Sequence, residues 1–311
     1  MVICAQQARH EWGDNSVGFF QRNAVWSFGL YVQDEFSLPP KDPPSKLFDT
    51  RKFWRGPNFI HTRADPFLHI HQDELFIFFE AAKANKPGWI EGYRTTDLVN
   101  FTWLGEVLRE KHHLSYPSII QSGKDTYMIP ESGAAREVAL YTFGNFPYSL
   151  TKTRILLSGN YVDPSIVKIE DTWFLFATLK GCLYLFYSNN LLSGDFVPHP
   201  ANPISSNQVI SRCGGTPVTQ GGRLYRLAQN CEGRYGSNLS LVEIIEMTRT
   251  TYIERIARQD IFSDKYGWNN AGNHHLSVAN FRGQYVLAVD GQDYDNYMHK
   301  FVGRLYRPFV R

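Results

Sequence analysis

A short pattern recurs five times along this chain, at intervals of about fifty residues. Each copy has an apolar strand opened by a turn residue, a polar hairpin and an aromatic strand. The copies read ADPFLHIHQDELFIFFE, YPSIIQSGKDTYMIPES, DPSIVKIEDTWFLFAT, TPVTQGGRLYRLAQN and HLSVANFRGQYVLAVD. Their register marks, separated by 51, 47, 53 and 59 residues, are Pro66, Pro117, Pro164, Pro217 and Leu276. A repeat of this length made of short strands is typical of propeller blades. The sequence therefore predicts an all-β fold, a five-bladed β-propeller.

The two ends of the chain are predicted to meet in the last blade. Residues 26–33, WSFGLYVQ, alternate like a strand and resemble the strands that follow each hairpin, but no hairpin precedes them. We expect this segment to join strands from the C-terminus, including MHKFVGRLYR at 298–307, and so to close the ring. Residues 1–25 are expected to be an N-terminal arm, and residues 26–311 a single propeller domain.

Composition excludes several classes of partner. The 32 basic and 30 acidic side chains are scattered and leave a net charge of +2, so a nucleic-acid partner is not expected. No apolar run approaches the roughly 18 residues of a membrane helix, and no signal peptide is evident, so we expect a cytoplasmic protein without a membrane span. Cys213 and Cys231 flank the fourth hairpin; reduced thiols are favoured over a disulfide between them.

The first residues of equivalent inner strands should converge at one end of the propeller channel. By register these residues are Asp65, Tyr116, Asp163, Thr216 and His275. Two of the five are carboxylates, which are seldom brought together only to stabilise a fold. An Asp before Pro is also a common turn residue, so the functional interpretation depends on the shared register.

A second set of acids lies at the ends of the second strands. Glu131 ends that strand in the second repeat, and Glu80 and Asp290 occupy matching places in the first and fifth. Hydrolysis of a glycosidic bond needs one carboxylic acid and one carboxylate, and crowded acids separate their pKa values. Asp65, Glu131 and Asp163 are therefore the predicted catalytic residues.

Other side chains near the same end are predicted to contact the substrate. Arg212 precedes two glycines and suits an anionic group on a ligand, while adjacent histidines suit sugar hydroxyls. The predicted substrate-binding set is Arg212, His113, Tyr116, His274, His275, Trp268, Glu80 and Asp290. No metal site or cofactor is expected, although the acidic loop GQDYDNY at 291–297 leaves a structural calcium open.

Several ordered motifs identify a resemblance. They are ADPF with FFE, HLSYPSI with YMIPES, YVDPSI with WFLFA, RCGG, and GWNNAGNHH with AVDG. Together, from about Trp26 to Gly291, they resemble the N-terminal domain of plant glucosamine inositolphosphorylceramide transferase and its stand-alone bacterial relatives. That domain is similar to the five-bladed propellers of glycoside hydrolase families 43, 32 and 68.

The resemblance to family 43 implies roles for individual residues. Its general base is the Asp of the first-blade Asp-Pro, which corresponds to Asp65, and its acid-tuning Asp corresponds to Asp163. Its general-acid Glu would fall at Gly215-Thr216-Pro217, where this chain has no acid. Glu131, from another blade, is the candidate substitute.

Three functions stay open. The leading hypothesis is a carbohydrate-active enzyme, a glycoside hydrolase acting on a glycan or glycoconjugate. The missing fourth-blade Glu favours a non-catalytic glycan-binding propeller in polysaccharide or glycolipid assembly. Glycosyl transfer or phosphorolysis is the third, with Arg63, Arg212 and the His274–His275 pair holding a charged group. Sugar identity, stereochemistry and oligomeric state do not follow from the sequence.

Overall fold

The computed structural model describes residues 22–40, 43–50, 60–83, 86–262 and 267–296. The strands are β1 (Arg22–Gln33), β2 (Lys46–Phe48), β3 (Ile60–His71), β4 (Glu74–Lys83), β5 (Trp89–Thr95), β6 (Thr102–Leu108), β7 (Ser115–Ser122), β8 (Asp125–Ser132), β9 (Glu137–Asn145), β10 (Tyr148–Ser158), β11 (Val162–Ile169), β12 (Thr172–Leu179), β13 (Cys182–Ser188), β14 (Val197–Pro198), β15 (Arg212–Cys213), β16 (Val218–Gln220), β17 (Arg223–Asn230), β18 (Asn238–Met247), β19 (Tyr252–Arg258), β20 (Leu276–Phe281) and β21 (Gln284–Asn296).

The described residues contain no α-helix, and a 3-10 turn, Gly133–Ala135, separates β8 from β9. The all-β prediction is therefore confirmed. In these ranges no helix has the length and apolar character needed to cross a membrane.

Each of the five repeats forms an antiparallel hairpin. The hairpins are β3–β4, β7–β8, β11–β12, β16–β17 and β20–β21. In the first four, a third and a fourth strand extend the sheet, as in the order β7-β8-β9-β10. Alternating apolar residues produce this arrangement, because one face of each strand packs against the neighbouring sheet. The number of blades and a closed ring stay predictions.

The N-terminal strand pairs with the last hairpin, as the sequence predicts. β1 runs antiparallel to β21 along its whole length, from Arg22 opposite Asn296 to Gln33 opposite Tyr285, and Trp26 also makes a parallel bridge to Thr62 of β3. The first and last hairpins therefore share one eight-stranded sheet.

Two strands extend beyond the bounds that the sequence suggests. The strand begins at Arg22, so the last four residues of the predicted arm, 22–25, belong to β1. Residues 291–296 of the predicted acidic loop continue β21, because β1 supplies hydrogen bonds along this stretch. The predicted C-terminal strand at 298–307 lies outside the described residues.

Aromatic side chains fill the space between the first and last hairpins. The ring of Phe28 in β1 stacks 4.5 Å from Phe48 and lies 5.1 Å from Phe79 of β4, all three being buried. Complete burial of a side chain of this size stabilises a fold by about 1.5–3 kcal/mol. Among the described cysteines, which exclude Cys4, none is in a disulfide, so Cys213 and Cys231 do not pair.

Candidate functional site

Three equivalent residues adopt the same unusual backbone conformation at the start of their inner strands. Asp65, Tyr116 and Asp163 have φ of 51°, 46° and 50°, although each precedes a proline. The residue before proline normally has an extended backbone, and a positive φ is uncommon for side chains other than glycine. The register of each hairpin shifts at this point, as at a β-bulge. A bulge turns a side chain out of the sheet, and here it is repeated in three consecutive hairpins.

Acidic side chains connect three pairs of neighbouring hairpins. Asp65 Oδ2 accepts a hydrogen bond from the Tyr116 amide at 3.2 Å, and Asp290 Oδ2 accepts one from the Asp65 amide at 3.2 Å. Glu131 Oε2 accepts one from the Asp163 amide at 3.4 Å. The predicted convergence of Asp65 and Asp163 with the second set of acids therefore has direct support in these contacts.

Asp65 is buried, and its ionisation is perturbed. Burial, together with the negative charges of Asp290 and Asp163, raises its pKa to about 7, against the opposing effect of His274. Its Oδ1 atom is buried without a hydrogen-bond partner. A carboxyl that titrates near neutral pH and keeps one oxygen unpaired is suited to proton transfer.

Asp290 and His274 form a buried ion pair beside Asp65. The His274 Nδ1 atom lies 2.5 Å from Asp290 Oδ2 and 3.9 Å from Asp65 Oδ1. Burial opposes both charges, but the two carboxylates raise the pKa of His274 to about 8, and the imidazolium holds the pKa of Asp290 below its usual value. Asp290 Oδ1 also accepts the amides of His274 and His275, both at 2.9 Å. Asp290 therefore fixes the start of the fifth inner strand.

The same three side chains could also hold a metal ion. One ligand atom each from Asp65, His274 and Asp290 lies within 4.8 Å of the others. These three side chains fit a cation poorly while His274 is protonated. The proton on Nδ1 then lies between the imidazole and the carboxylates, where a metal ion would bind. The expectation that no metal is needed stays a prediction.

Asp163 is held by two donors. Arg212 Nε donates to its Oδ2 in an ion pair, and the Gln229 amide donates to the same oxygen at 2.9 Å. The Arg212 guanidinium lies 4.6 Å from the ring centre of Tyr235. Although burial opposes its charge, Asp163 raises the pKa of Arg212. Arg212 keeps a quarter of its side chain exposed, so it can reach a ligand while it orients Asp163.

Tyr116 links the second, third and fourth hairpins. Its hydroxyl accepts a hydrogen bond from the Gly215 amide at 2.6 Å and lies 2.7 Å from Ser165 Oγ, which donates to the Gly215 carbonyl at 3.0 Å. Since the Ser165 proton is used there, the Tyr116 hydroxyl donates to Ser165. Burial raises the pKa of Tyr116 well above its usual value. The Tyr116 hydroxyl is thus neutral, and it donates one hydrogen bond and accepts another.

His275 and Trp268 are buried and pack against neighbouring side chains. The His275 ring packs 4.4 Å from Phe67 and 5.3 Å from Tyr116, and burial lowers its pKa to about 3, so it is neutral. Trp268 belongs to a hydrophobic cluster with Leu227 and other buried side chains. Ligand contacts by Tyr116, His275, Trp268 and Asp290 stay predictions, and in the structure these side chains are buried.

Glu80 and His113 lie at the partly exposed rim. His113 Nε2 is 3.6 Å from Glu80 Oε1, and His113 Nδ1 accepts the Gly88 amide at 2.9 Å. Burial lowers the pKa of His113, so the neutral ring carries its proton on Nε2, toward Glu80. Glu131 is half-buried, like Arg212. These four side chains offer partly exposed polar atoms to a ligand.

The sequence interpretation missed several contributors to the site. Gln229 and Ser165 are buried and bond to groups of the inner strands, and Tyr235 lies against Arg212. The sequence does indicate Ser165, because Ser118 and Ser165 both follow the pre-proline residue by two positions, so the serine is repeated in register. Gln229 is a buried polar residue in an aromatic strand, which also indicates a specific partner.

Comparison with known proteins identifies relatives of the chain. Residues 48–292 match the family described as "Glucosamine inositolphosphorylceramide transferase 1, N-terminal". The glucosamine inositolphosphorylceramide transferase 1 of Oryza sativa subsp. japonica is 35% identical over 251 residues, which are 75% of this chain and 33% of that protein. The Arabidopsis thaliana protein of the same name is 30% identical over 307 residues, covering 86% of this chain and 39% of that protein. The chain therefore spans little more than a third of these relatives' length.

Solved structures with a similar fold include glycoside hydrolases. An alpha-L-arabinofuranosidase from Clostridium thermocellum superposes with a TM-score of 0.56 at 17% identity, covering 72% of this chain and 80% of that chain. At this identity the likeness concerns the fold.

Proposed function

This chain belongs to the glucosamine inositolphosphorylceramide transferase 1 N-terminal family, and we propose that it is a carbohydrate-active enzyme that hydrolyses a glycosidic bond. The observation that carries the proposal is Asp65, a buried carboxyl with a pKa of about 7 and an unpaired oxygen, set among further acids. The glycoside hydrolase fold of its structural neighbours supports the same chemistry.

The proposed roles follow from the different surroundings of the acids. Asp65, when ionised, is the general base that removes a proton from the attacking water. Asp163, fixed by Arg212 and Gln229, raises the pKa of Asp65 through its charge and orients Arg212 toward the substrate. Glu131, half-buried and beside the Asp163 amide, is the general acid that protonates the leaving oxygen.

The general base is tested by Asp65→Asn on a panel of activated aryl furanosides and pyranosides. We expect wild-type turnover and a loss on the order of 10²–10⁴-fold in kcat/KM for the variant, because Asn cannot accept the proton of water. Asp171→Asn, which alters an exposed acid in the β11–β12 turn, should keep wild-type turnover. Turnover that is equal in wild type and Asp65→Asn would contradict the proposal.

The general acid has a separate test, based on the leaving group. Glu131→Gln should lose little with activated aryl glycosides, which need no protonation, and about a hundredfold or more with unactivated disaccharides. Glu170→Gln, an exposed turn residue, is the control. An equal loss on both substrate types would assign Glu131 a role in holding the site instead.

A second candidate function is glycan binding without catalysis, and the fourth hairpin favours it. A Cβ atom on Gly215 would lie 2.0 Å from the Leu276 carbonyl oxygen, so this backbone cannot carry the acid that family 43 places here. Glycan binding that survives Asp65→Asn, with no turnover by either protein, would support this function. Glycosyl transfer or phosphorolysis would instead give a sugar phosphate, or a new glycoside, when phosphate or an acceptor is added.

A further inference from the structure

A positively charged groove lies at one end of the first hairpin's sheet. It has a volume of about 400 Å³, and its lining includes Lys83, Lys86, Trp89, Arg109, Glu110 and Lys111. Four of these six side chains are cationic and one is acidic. The chain as a whole is nearly neutral, so this local excess of positive charge is a property of the groove.

Strand register brings these residues together. Ala81 near the end of β4 is opposite Trp89, the first residue of β5, and Ile90 is opposite Leu108, the last residue of β6. The end of β4, the start of β5 and the end of β6 therefore share one edge of the sheet. Lysines and an arginine placed just beyond these ends must lie side by side.

The cations differ in how far they are already neutralised. Arg109 donates to Glu106 at 2.6 Å and stacks 4.1 Å from the Trp89 ring, and Glu110 accepts a hydrogen bond from the Tyr141 hydroxyl at 3.0 Å. The Lys83 ammonium lies 5.7 Å from the same indole. Within the described part of the chain, neither Lys86 nor Lys111 has an acidic partner within ion-pair distance, and both are exposed.

The indole gives little surface to a sugar ring. Trp89 is only 4% exposed, and Arg109 covers one face of its ring. Stacking against Trp89 is therefore excluded as the main interaction. The groove offers charge and N–H donors, which suit the oxygens of an anionic group.

The groove adjoins the candidate site. Lys83 follows Glu80 by three residues, and Lys111 precedes His113 by two. The Gly88 amide donates to His113 Nδ1, and His113 Nε2 faces Glu80. A Cβ on Gly88 would lie 2.8 Å from His113, so glycine is what lets the groove and the rim of the site approach so closely.

We propose that this groove is an oxyanion subsite, in which Lys83, Lys86 and Lys111 bind a phosphate or carboxylate group. The anionic group belongs to the glycan or glycoconjugate whose uncharged part occupies the neighbouring site. The identity of the molecule that carries the anionic group rests on the proposed function. Binding of the anion itself does not, because it requires no catalysis.

Calorimetric titration with two probes, inorganic phosphate and D-glucuronate, tests the subsite at constant ionic strength. We expect saturable binding of at least one probe by the wild type, and binding at least about tenfold weaker in the double variant Lys86→Glu/Lys111→Glu. The control is the double variant Lys124→Glu/Lys168→Glu, which changes the net charge by the same amount at exposed positions. The Lys168 ammonium lies 5.7 Å from the Trp173 ring, the same distance as that between Lys83 and Trp89. The control should stay within about twofold of wild type, because neither of its two lysines lines the groove.

The outcomes separate the possibilities. Preference for phosphate or for glucuronate identifies the source of the oxyanion. Absence of saturable binding of both probes by the wild type up to about 50 mM, far above the millimolar range that corresponds to weak specific binding, overturns the proposal. Equal weakening in the two double variants also overturns it. Asp65→Asn should bind the probe as the wild type does. A wild-type protein that binds the anion but hydrolyses no glycoside would refute the enzymatic function and leave the subsite standing.

Discussion

Asp65 and Asp163 have the same backbone conformation and similar burial, yet their surroundings give them different properties. Asp163 accepts hydrogen bonds from Arg212 and Gln229, whereas one oxygen of Asp65 has no hydrogen-bond partner. The imidazolium beside it, His274, is 3.9 Å away and is paired more closely with Asp290. A buried acid without full compensation resists ionisation. The difference between the two acids therefore originates in their neighbours, not in the Asp-Pro motif that they share.

The raised pKa of Asp65 predicts how stability depends on pH. The folded state binds a proton at Asp65 up to about pH 7, whereas the unfolded state releases it near pH 3.8, so stability falls as the pH rises between these values. Asp65→Asn removes this loss of stability. It also removes a negative charge that raises the pKa of His274, so the stabilisation that the wild type loses as the pH rises through about 8 is smaller in the variant. We therefore expect the variant to gain roughly 2–4 kcal/mol relative to the wild type between pH 4.5 and pH 8.

Urea unfolding of both proteins at the two pH values measures this change. Asp171→Asn should follow the wild-type dependence on pH. An Asp65→Asn variant whose stability relative to wild type is the same at pH 4.5 and pH 8 would show that Asp65 titrates at its ordinary pKa in the folded protein.

At this scale the sequence predicts which acids meet but not how each one is paired. Register alone places Asp65, Asp163, Glu131 and Asp290 near one another, because equivalent strand positions converge. The ion pair of His274 with Asp290 depends on side-chain directions that a repeat pattern does not contain. The sequence therefore suggested a ligand contact for Asp290, which the structure uses to hold three backbone amides and an imidazolium.

Among the elements, the inner strand of the fourth unit differs from its counterparts. It is divided into β15 (Arg212–Cys213) and β16 (Val218–Gln220), both paired with β17. Between them Gly215 has φ of 146°. The amide of its neighbour Gly214 donates to the Leu227 carbonyl, and the Gly214 carbonyl accepts from the Leu276 amide. The close approach of the fifth inner strand therefore excludes a side chain at Gly215.

Gly215→Ala should accordingly be much more destabilising than an alanine at another glycine with positive φ. The added Cβ would lie 2.0 Å from a backbone oxygen, so we expect a loss of roughly 3 kcal/mol or more, through backbone displacement and strain together. Gly222→Ala, in the hairpin turn with φ of 74° and open space around its Cβ, should lose only about 1 kcal/mol. The free energy of unfolding from denaturant titration measures both; equal losses would contradict the steric argument.

The strands themselves could be predicted well from the sequence, and the bulges could not. Alternation of apolar residues predicts the strands that follow the hairpins, and β5, β9, β13 and β18 lie at these places. The sequence interpretation takes the acidic segment at 291–297 as a loop. It continues β21 because β1 pairs with it, and such a long-range partner leaves no trace in local polarity.

At the scale of the whole molecule, β1 joins regions that are far apart in the chain. It pairs with β21, bridges to β3 through Trp26 and Thr62, and carries Phe28 into the cluster that contains Phe48 and Phe79. The sequence predicted the pairing because residues 26–33 resemble a third strand without a hairpin. Parallel contact with β3 was not predictable, since it depends on how the first and last hairpins approach each other.

Phe28→Ala tests whether this junction stabilises both ends of the chain. Removal of a fully buried ring that contacts two other aromatic rings should cost about 3–5 kcal/mol. Hydrogen–deuterium exchange followed by mass spectrometry should then show faster exchange in β21 and in β3–β4 together, because both depend on β1 for packing. Ile155→Ala, which truncates an exposed side chain on β10, should leave the exchange of these strands unchanged. Faster exchange confined to β1, with β21 and β3–β4 protected as in the wild type, would mean that the first and last hairpins are stable without the strand that connects them.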